Sequence, residues 1–154
     1  MKKFEFTLDR LKDYREQILE AEKNTLGVLR GQMHELEMLE TQIRDTIEMK
    51  NEELWQTMQS GTTPIEIAMM KRFIIAKQQE LSETGILIQR KNREIEKQLE
   101  VVIAATQDLS SMEKLEEKQL EAYQAEEMKE HERFVEEFVM GQELRKKRSL
   151  KQSA

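Results

Sequence analysis

Ser60-Gly61-Thr62-Thr63-Pro64-Ile65-Glu66 is the strongest interruption in a chain of 154 residues that holds one proline and five glycines. Proline is tolerated at the first position of a helix, where its missing N–H would have no partner anyway, and Thr63 and Glu66 have the spacing of a capping box. The segment therefore ends one helix and begins another within about five residues, a length that joins antiparallel neighbours.

Working outward, Thr7 is placed to cap the start of a first helix. Asp9 complements the positive helix end, and Phe6 lies across from Leu11 as a hydrophobic staple. From there apolar or tolerated residues recur in steps of three and four: Leu8, Leu11, Arg15, Ile18, Glu22, Leu26, Leu29, Met33, Leu36, Glu40, Ile43, Ile47, Lys50, Leu54 and Met58. The average step is close to 3.6, with a slip near Leu26 to Met33 that predicts weak supercoiling there. Beyond the turn a second seam follows Ile67, Met70, Ile74, Lys77, Leu81, Thr84, Ile88, Lys91, Ile95, Leu99, Val102, Thr106, Leu109, Met112, Glu116, Leu120 and Tyr123. Its period is nearer 3.5, as a coiled coil prefers.

Folding at Gly61 sets residues whose numbers add to about 122 opposite one another, given equal rise on both helices. Leu54 then meets Ile67, Ile47 meets Ile74, Met33 meets Ile88, Leu26 meets Ile95, and Ile18 meets Ile103 or Val102. The two seams agree in register, which favours an intramolecular hairpin. The other arrangement open to such helices is a parallel homodimer, against which the Thr63-Pro64 break counts.

The predicted fold is all-α: two long helices in an antiparallel coiled-coil hairpin, the second longer than the first. Residues 1–154 form a single coiled-coil domain, with the first helix over 7–59, a turn at 60–63, the second helix over 64–141 and a basic flexible tail at 142–154. Gly141 is the expected C-cap. Lengths of ~75 Å and ~115 Å leave the last ~20 residues of the second helix without a partner helix. That overhang still carries Tyr123, Met128, Phe134, Val135, Phe138, Val139 and Met140, and an isolated amphipathic helix either binds something or frays.

Composition points the same way. Charged residues make up 36% of the chain and hydrophobic ones 38%, against roughly 25% and 45–50% in ordinary domains, so the core is thin. There is no cysteine, hence no disulfide framework or thiolate metal site and no need for an oxidising compartment. Asp9, Arg10, Lys12 and Asp13 interrupt any signal-peptide pattern, and no run is apolar enough to span a membrane. The expected location is the cytoplasm. A net charge of −6 argues against nucleic acid as partner, because phosphate binding needs a basic surface. The local exception is the tail, where Arg145, Lys146, Lys147, Arg148 and Lys151 face only Glu143.

No catalytic pattern emerges, and neither a cofactor nor a metal is expected. Gly27 to Gly31 has GxxxG spacing without the apolar membrane context that gives it meaning. His34 and His131 lie far apart in sequence and in the hairpin register, so they share no site. Carboxylate pairs such as Glu116-Glu117 and Glu126-Glu127 sit on a thin rod with no cavity to shift their pKa values.

More informative are apolar residues that the seam cannot hold. Successive residues of Phe73-Ile74-Ile75 are ~100° apart around a helix, so with Ile74 inward at least one neighbour is exposed. Trp55 beside Leu54, Met69 beside Met70, and Ile65 pose the same question near the bend, with Met69 and Phe73 four apart on one face. They either form an interaction surface or widen the end of the core.

The opening Phe4-x-Phe6-x-Leu8-x-x-Leu11-x-x-x-Arg15, the charged hairpin, the bend near position 60 and the Phe134/Phe138 end of the second helix together resemble the FliJ family, soluble stalk proteins of the flagellar type III export apparatus. The resemblance implies an antiparallel coiled coil similar to the central stalk of rotary ATPases, non-enzymatic and peripheral to the inner membrane through its partners. Its open end would sit in the hexameric export ATPase ring through Phe134, Phe138 and Tyr123. Its bend side would meet the cytoplasmic domain of the export gate through Phe73, Met69, Ile75 and Trp55, and export chaperones would be bound and released. Phe73 matches a family phenylalanine that contributes to gate binding, whereas Lys77, Glu80 and Thr84 depart from the pattern after it. A monomer is expected; the alternative is a coiled-coil scaffold or holdase that self-associates through the overhang.

Overall fold

The computed structural model describes residues 1–153. Residue 154, the last of the expected tail, lies outside the described residues. Two α-helices, α1 (Asp9–Ser60) and α2 (Pro64–Gln152), pack against each other as a hairpin, with α2 the longer.

The turn forms for the reasons its sequence suggests. Ser60 closes α1, and Gly61 follows with φ of 87°, the left-handed conformation that a residue without Cβ adopts cheaply at the C′ position. Pro64 opens α2, and the Thr63 hydroxyl accepts the Glu66 backbone N–H at 3.4 Å. The other half of the capping box is redirected, because the Glu66 carboxylate accepts from the Thr62 hydroxyl. Both polar side chains thus hold the first turn of α2.

At the other end of α1, Thr7 is not the cap. The Phe6 carbonyl accepts the Asp9 N–H at 3.2 Å and the Leu8 carbonyl accepts the Lys12 N–H at 2.9 Å, while the Thr7 hydroxyl donates across to Gln119 Oε1 at 3.4 Å. Backbone turns satisfy the helix end, and Thr7 is used to hold the segment before α1 against α2.

Burial along the helices is more regular than the sequence seams. In α2 the positions 67, 70, 74, 77, 81, 84, 88, 91, 95, 98, 102, 105, 109, 112, 116, 119 and 123 are buried or half-buried, alternating steps of three and four without a break. In α1 the same alternation runs from Lys12 through Arg15, Leu19, Glu22 and Leu26 to Leu54 and Thr57, with no slip between Leu26 and Met33. This is a strict seven-residue repeat. Gln98, Ala105 and Gln119 therefore take inward places where the seam read from sequence runs through Leu99, Thr106 and Leu120, and Lys12, Leu19 and Thr57 do so in place of Leu11, Ile18 and Met58. A neighbouring residue points ~100° away, so register outweighs the preference of single side chains.

The expected antiparallel register holds. Lys91 Nζ donates to Gln32 Oε1 at 2.9 Å, Gln98 Nε2 donates to the Glu22 backbone carbonyl at 3.0 Å, and Arg15 pairs with Asp108 at 2.9 Å. Each pair's numbers add to within two of the expected value. Of the two partners considered for Ile18, Val102 is buried and Ile103 exposed.

Contacts group the chain into two compact units, one of Met1–Gln17 with Gln107–Ala154 and the other of Ile18–Thr106. Each helix supplies residues to both. Within the second unit Leu26, Met33, Ile43, Ile74 and Val102 are buried, and Thr84 is buried with its hydroxyl donating to the Glu80 carbonyl at 2.8 Å. No side chain there or elsewhere among the described residues is fully enclosed, as expected of a core two helices thick.

The second helix does not end at Gly141. It continues to Gln152, so residues 142–152 are helical and not a flexible tail. Glycine inside a helix costs about 1 kcal/mol relative to alanine but does not force an end, and here it lacks the positive φ of a C-cap. The cations that follow, Arg145 to Arg148 and Lys151, suit the negative end of a helix.

Candidate binding surfaces

Near the bend, Ile74 is buried while Phe73 and Ile75 on either side are exposed, as are Trp55, Ile65 and Met69. The repeat assigns them to different flanks. Phe73 precedes a seam position and Met69 lies one turn before it on the same side; Ile75 and Trp55 each follow a seam position and lie on the opposite side. The four residues thus divide between two flanks, Phe73 and Met69 on one and Trp55 and Ile75 on the other.

Phe73 is 40% exposed, and two cations lie over its ring, Lys50 Nζ at 5.3 Å and Lys77 Nζ at 5.7 Å from the centroid. An ammonium over an aromatic face contributes about 0.5–1 kcal/mol at an exposed site. Lys77 is itself paired with Glu80 at 2.9 Å. Trp55 borders a shallow groove lined by Arg44, Ile47, Asn51 and Leu81.

The Phe73 flank has a feature that single-residue inspection does not show. Phe73, Leu87 and Val101 occupy the same position of the repeat at intervals of fourteen residues, and Glu80 and Glu94 alternate with them. All three apolar residues are partly exposed, as is Leu39 of α1, which lines a groove with Leu36, Leu87 and Arg90. The opposite flank carries Lys71, Gln78, Gly85 and Asn92 at the corresponding places, and the exposed Leu99 after them. The signal is legible in the sequence once a strict seven-residue repeat is imposed.

In the unit that holds the chain's first residues, Tyr123 is half-buried. Its hydroxyl donates to the Lys2 carbonyl at 2.6 Å, and its ring lies 5.5 Å from that of Phe4 at 54°. Phe6 is buried, and the amino terminus approaches Glu130 at 4.0 Å. Residues 1–7 thus lie along α2, shortening the part of the overhang that lacks company. Phe134 and Phe138 stay exposed, with Met128, Val135, Val139 and Met140.

One ion pair is built into the seam of this unit. Lys12 Nζ donates to Glu116 Oε2 at 2.6 Å, both half-buried at inward positions. This hydrogen bond, reinforced by the charges of Glu116, Glu16 and Glu113 and opposed by burial, holds the Lys12 ammonium above the ordinary lysine range.

Among the described residues no group of three or more His, Asp or Glu side chains is placed to hold a metal ion, and no helix is long and apolar enough to cross a membrane. What the fold presents is a two-helix coiled-coil hairpin with exposed apolar and aromatic side chains. The family model described as flagellar FliJ protein matches residues 4–148, and the chain belongs to that family. FliJ proteins form a non-catalytic structural and export family. A solved structure of a YscO homolog from Chlamydia trachomatis shares the fold with a TM-score of 0.66 and 22% identity, over 94% of this chain and 96% of that one. No curated protein matches the chain by sequence.

Proposed function

We propose that this FliJ-family chain is a non-enzymatic stalk of the flagellar type III protein export apparatus. Its open end binds the hexameric export ATPase, its bend side binds the cytoplasmic domain of the export gate, and it escorts export chaperones. The family match over nearly the whole chain carries this reading. Two sets of exposed apolar side chains support it: Phe73 with Met69 near the bend, and Phe134 with Phe138 on the last part of α2. Tyr123 acts in this scheme by fixing residues 1–7 against α2, not by touching the ring. On this view the protein lies in the cytoplasm and reaches the membrane only through its partners.

The test is the ATPase rate of the purified ring with and without the protein at micromolar concentration. Binding with stimulated turnover is the expected result. Neither binding nor a change in rate would overturn the proposal.

A further inference from the structure

The two units differ in what holds them together. Among the described residues Phe6 alone is buried in the unit of Met1–Gln17 with Gln107–Ala154; the other buried residues, from Leu19 to Ala105, belong to the unit of Ile18–Thr106. In the first of these the inward places of α1 are Lys12 and Arg15, both charged and half-buried. Those of α2, from Leu109 to Tyr123, are half-buried as well.

Polar ties take the place of a core. Lys12 Nζ reaches Glu116 Oε2 at 2.6 Å and Arg15 Nη1 reaches Asp108 Oδ2 at 2.9 Å, each pair joining the two helices. Before α1 the Phe4 ring lies against that of Tyr123, whose hydroxyl donates to the Lys2 carbonyl, and Phe6 is the buried apolar anchor. Ion pairs open to solvent contribute little each, so Phe6 bears much of the hold on residues 1–17. A segment with few buried apolar contacts opens at a lower free energy than the core beside it.

Simple fraying starts at a loose helix end and works inward, giving each residue its own stability. Here Phe4 and Phe6 tie down the segment that precedes α1, and the two ion pairs follow at Lys12 and Arg15. Once Phe6 leaves α2, Asp9 to Gln17 lose their packing together, and a helical stretch of that length does not persist alone in water.

We propose that residues 1–17 are a clasp that opens from α2 as one piece while Ile18–Thr106 stays folded, with Phe6 and the Lys12–Glu116 pair setting how often it opens. Opening uncovers the inward face of α2 from Leu109 to Tyr123.

Hydrogen exchange of the full-length chain, read amide by amide, tests this directly. Amides of residues 13–17 are expected to share one protection factor, at least tenfold below those of residues 26–47. Phe6→Ala should lower protection at 13–17 at least threefold further and leave 26–47 unchanged. Lys12→Glu, which sets a carboxylate against Glu116, should act in the same direction, and adding Glu116→Lys should reverse it. Circular dichroism checks that each variant keeps its remaining helix. Protection at 13–17 equal to that at 26–47 would overturn the proposal, as would a steady gradient from 13 to 17, which is fraying. So would a Phe6→Ala effect of the same size in both stretches, which marks one cooperative body, or a Lys12→Glu effect that Glu116→Lys does not repair.

Discussion

Phe73 is one of the bend residues that the proposed function assigns to the gate, and its environment sets what its removal does. The ring contributes little to the seam, since Ile74 takes the inward place and two lysines lie over the ring. Phe73→Ala is therefore expected to cost about 1 kcal/mol of stability or less. If it anchors a partner, binding weakens at least tenfold, about 1.4 kcal/mol. Calorimetric titration against the gate domain, with thermal melting alongside, checks both; a large fall in Tm with binding intact would place Phe73 in the core instead. Lys12 gives a prediction of opposite character. Its pKa is raised in the folded chain, so the stability it contributes is fully present below the unfolded lysine value of about 10.4. It is lost as pH rises through the higher folded value. Glu116→Gln removes the charged partner, and the variant should show a smaller alkaline fall in Tm than the parent. Equal falls would show that the pair is solvated and inert. The exposed aromatics were legible in the sequence because a seam has room for only one of two adjacent residues. Their division into two flanks was not, because that needs the register to the single residue.

At the scale of the element, the same glycine-to-alanine change is expected to act with opposite signs at two places. Gly61 has φ of 87°, and a Cβ there strains the left-handed turn, so Gly61→Ala should destabilise by roughly 1 kcal/mol. Gly141 is inside a helix with open space where an alanine methyl group would stand, so Gly141→Ala should raise helicity and stabilise the last turns of α2 by up to about 1 kcal/mol. Circular dichroism melts of the two variants give the comparison. Should Gly141→Ala destabilise, the helix ends there as the C-cap pattern suggests. The turn was legible because proline, glycine and a capping threonine each act through the local backbone. The end of α2 was less so, because a lone glycine reads equally as a cap or as a tolerated interior residue. The seams were legible in period and register but not residue by residue. Leu99 and Leu120 attract an apolar count, yet Gln98 and Gln119 take the inward places, and Gln98 satisfies its amide on Glu22.

For the whole molecule, the proposed function assigns Phe134 and Phe138, both exposed, to the export ATPase. Phe134→Ala with Phe138→Ala should weaken binding to the ring at least tenfold, about 1.4 kcal/mol, while circular dichroism shows the helices unchanged; unchanged ring affinity would mean that the ring is contacted elsewhere. Residues 1–7 offer an independent handle, since Phe4, Phe6 and Tyr123 fix them along α2 only as far as Glu130. Phe4→Ala should loosen that segment and leave ring binding as it is, because Phe134 and Phe138 lie beyond the residues it touches; a matching loss of ring affinity would instead assign residues 1–7 to the contact.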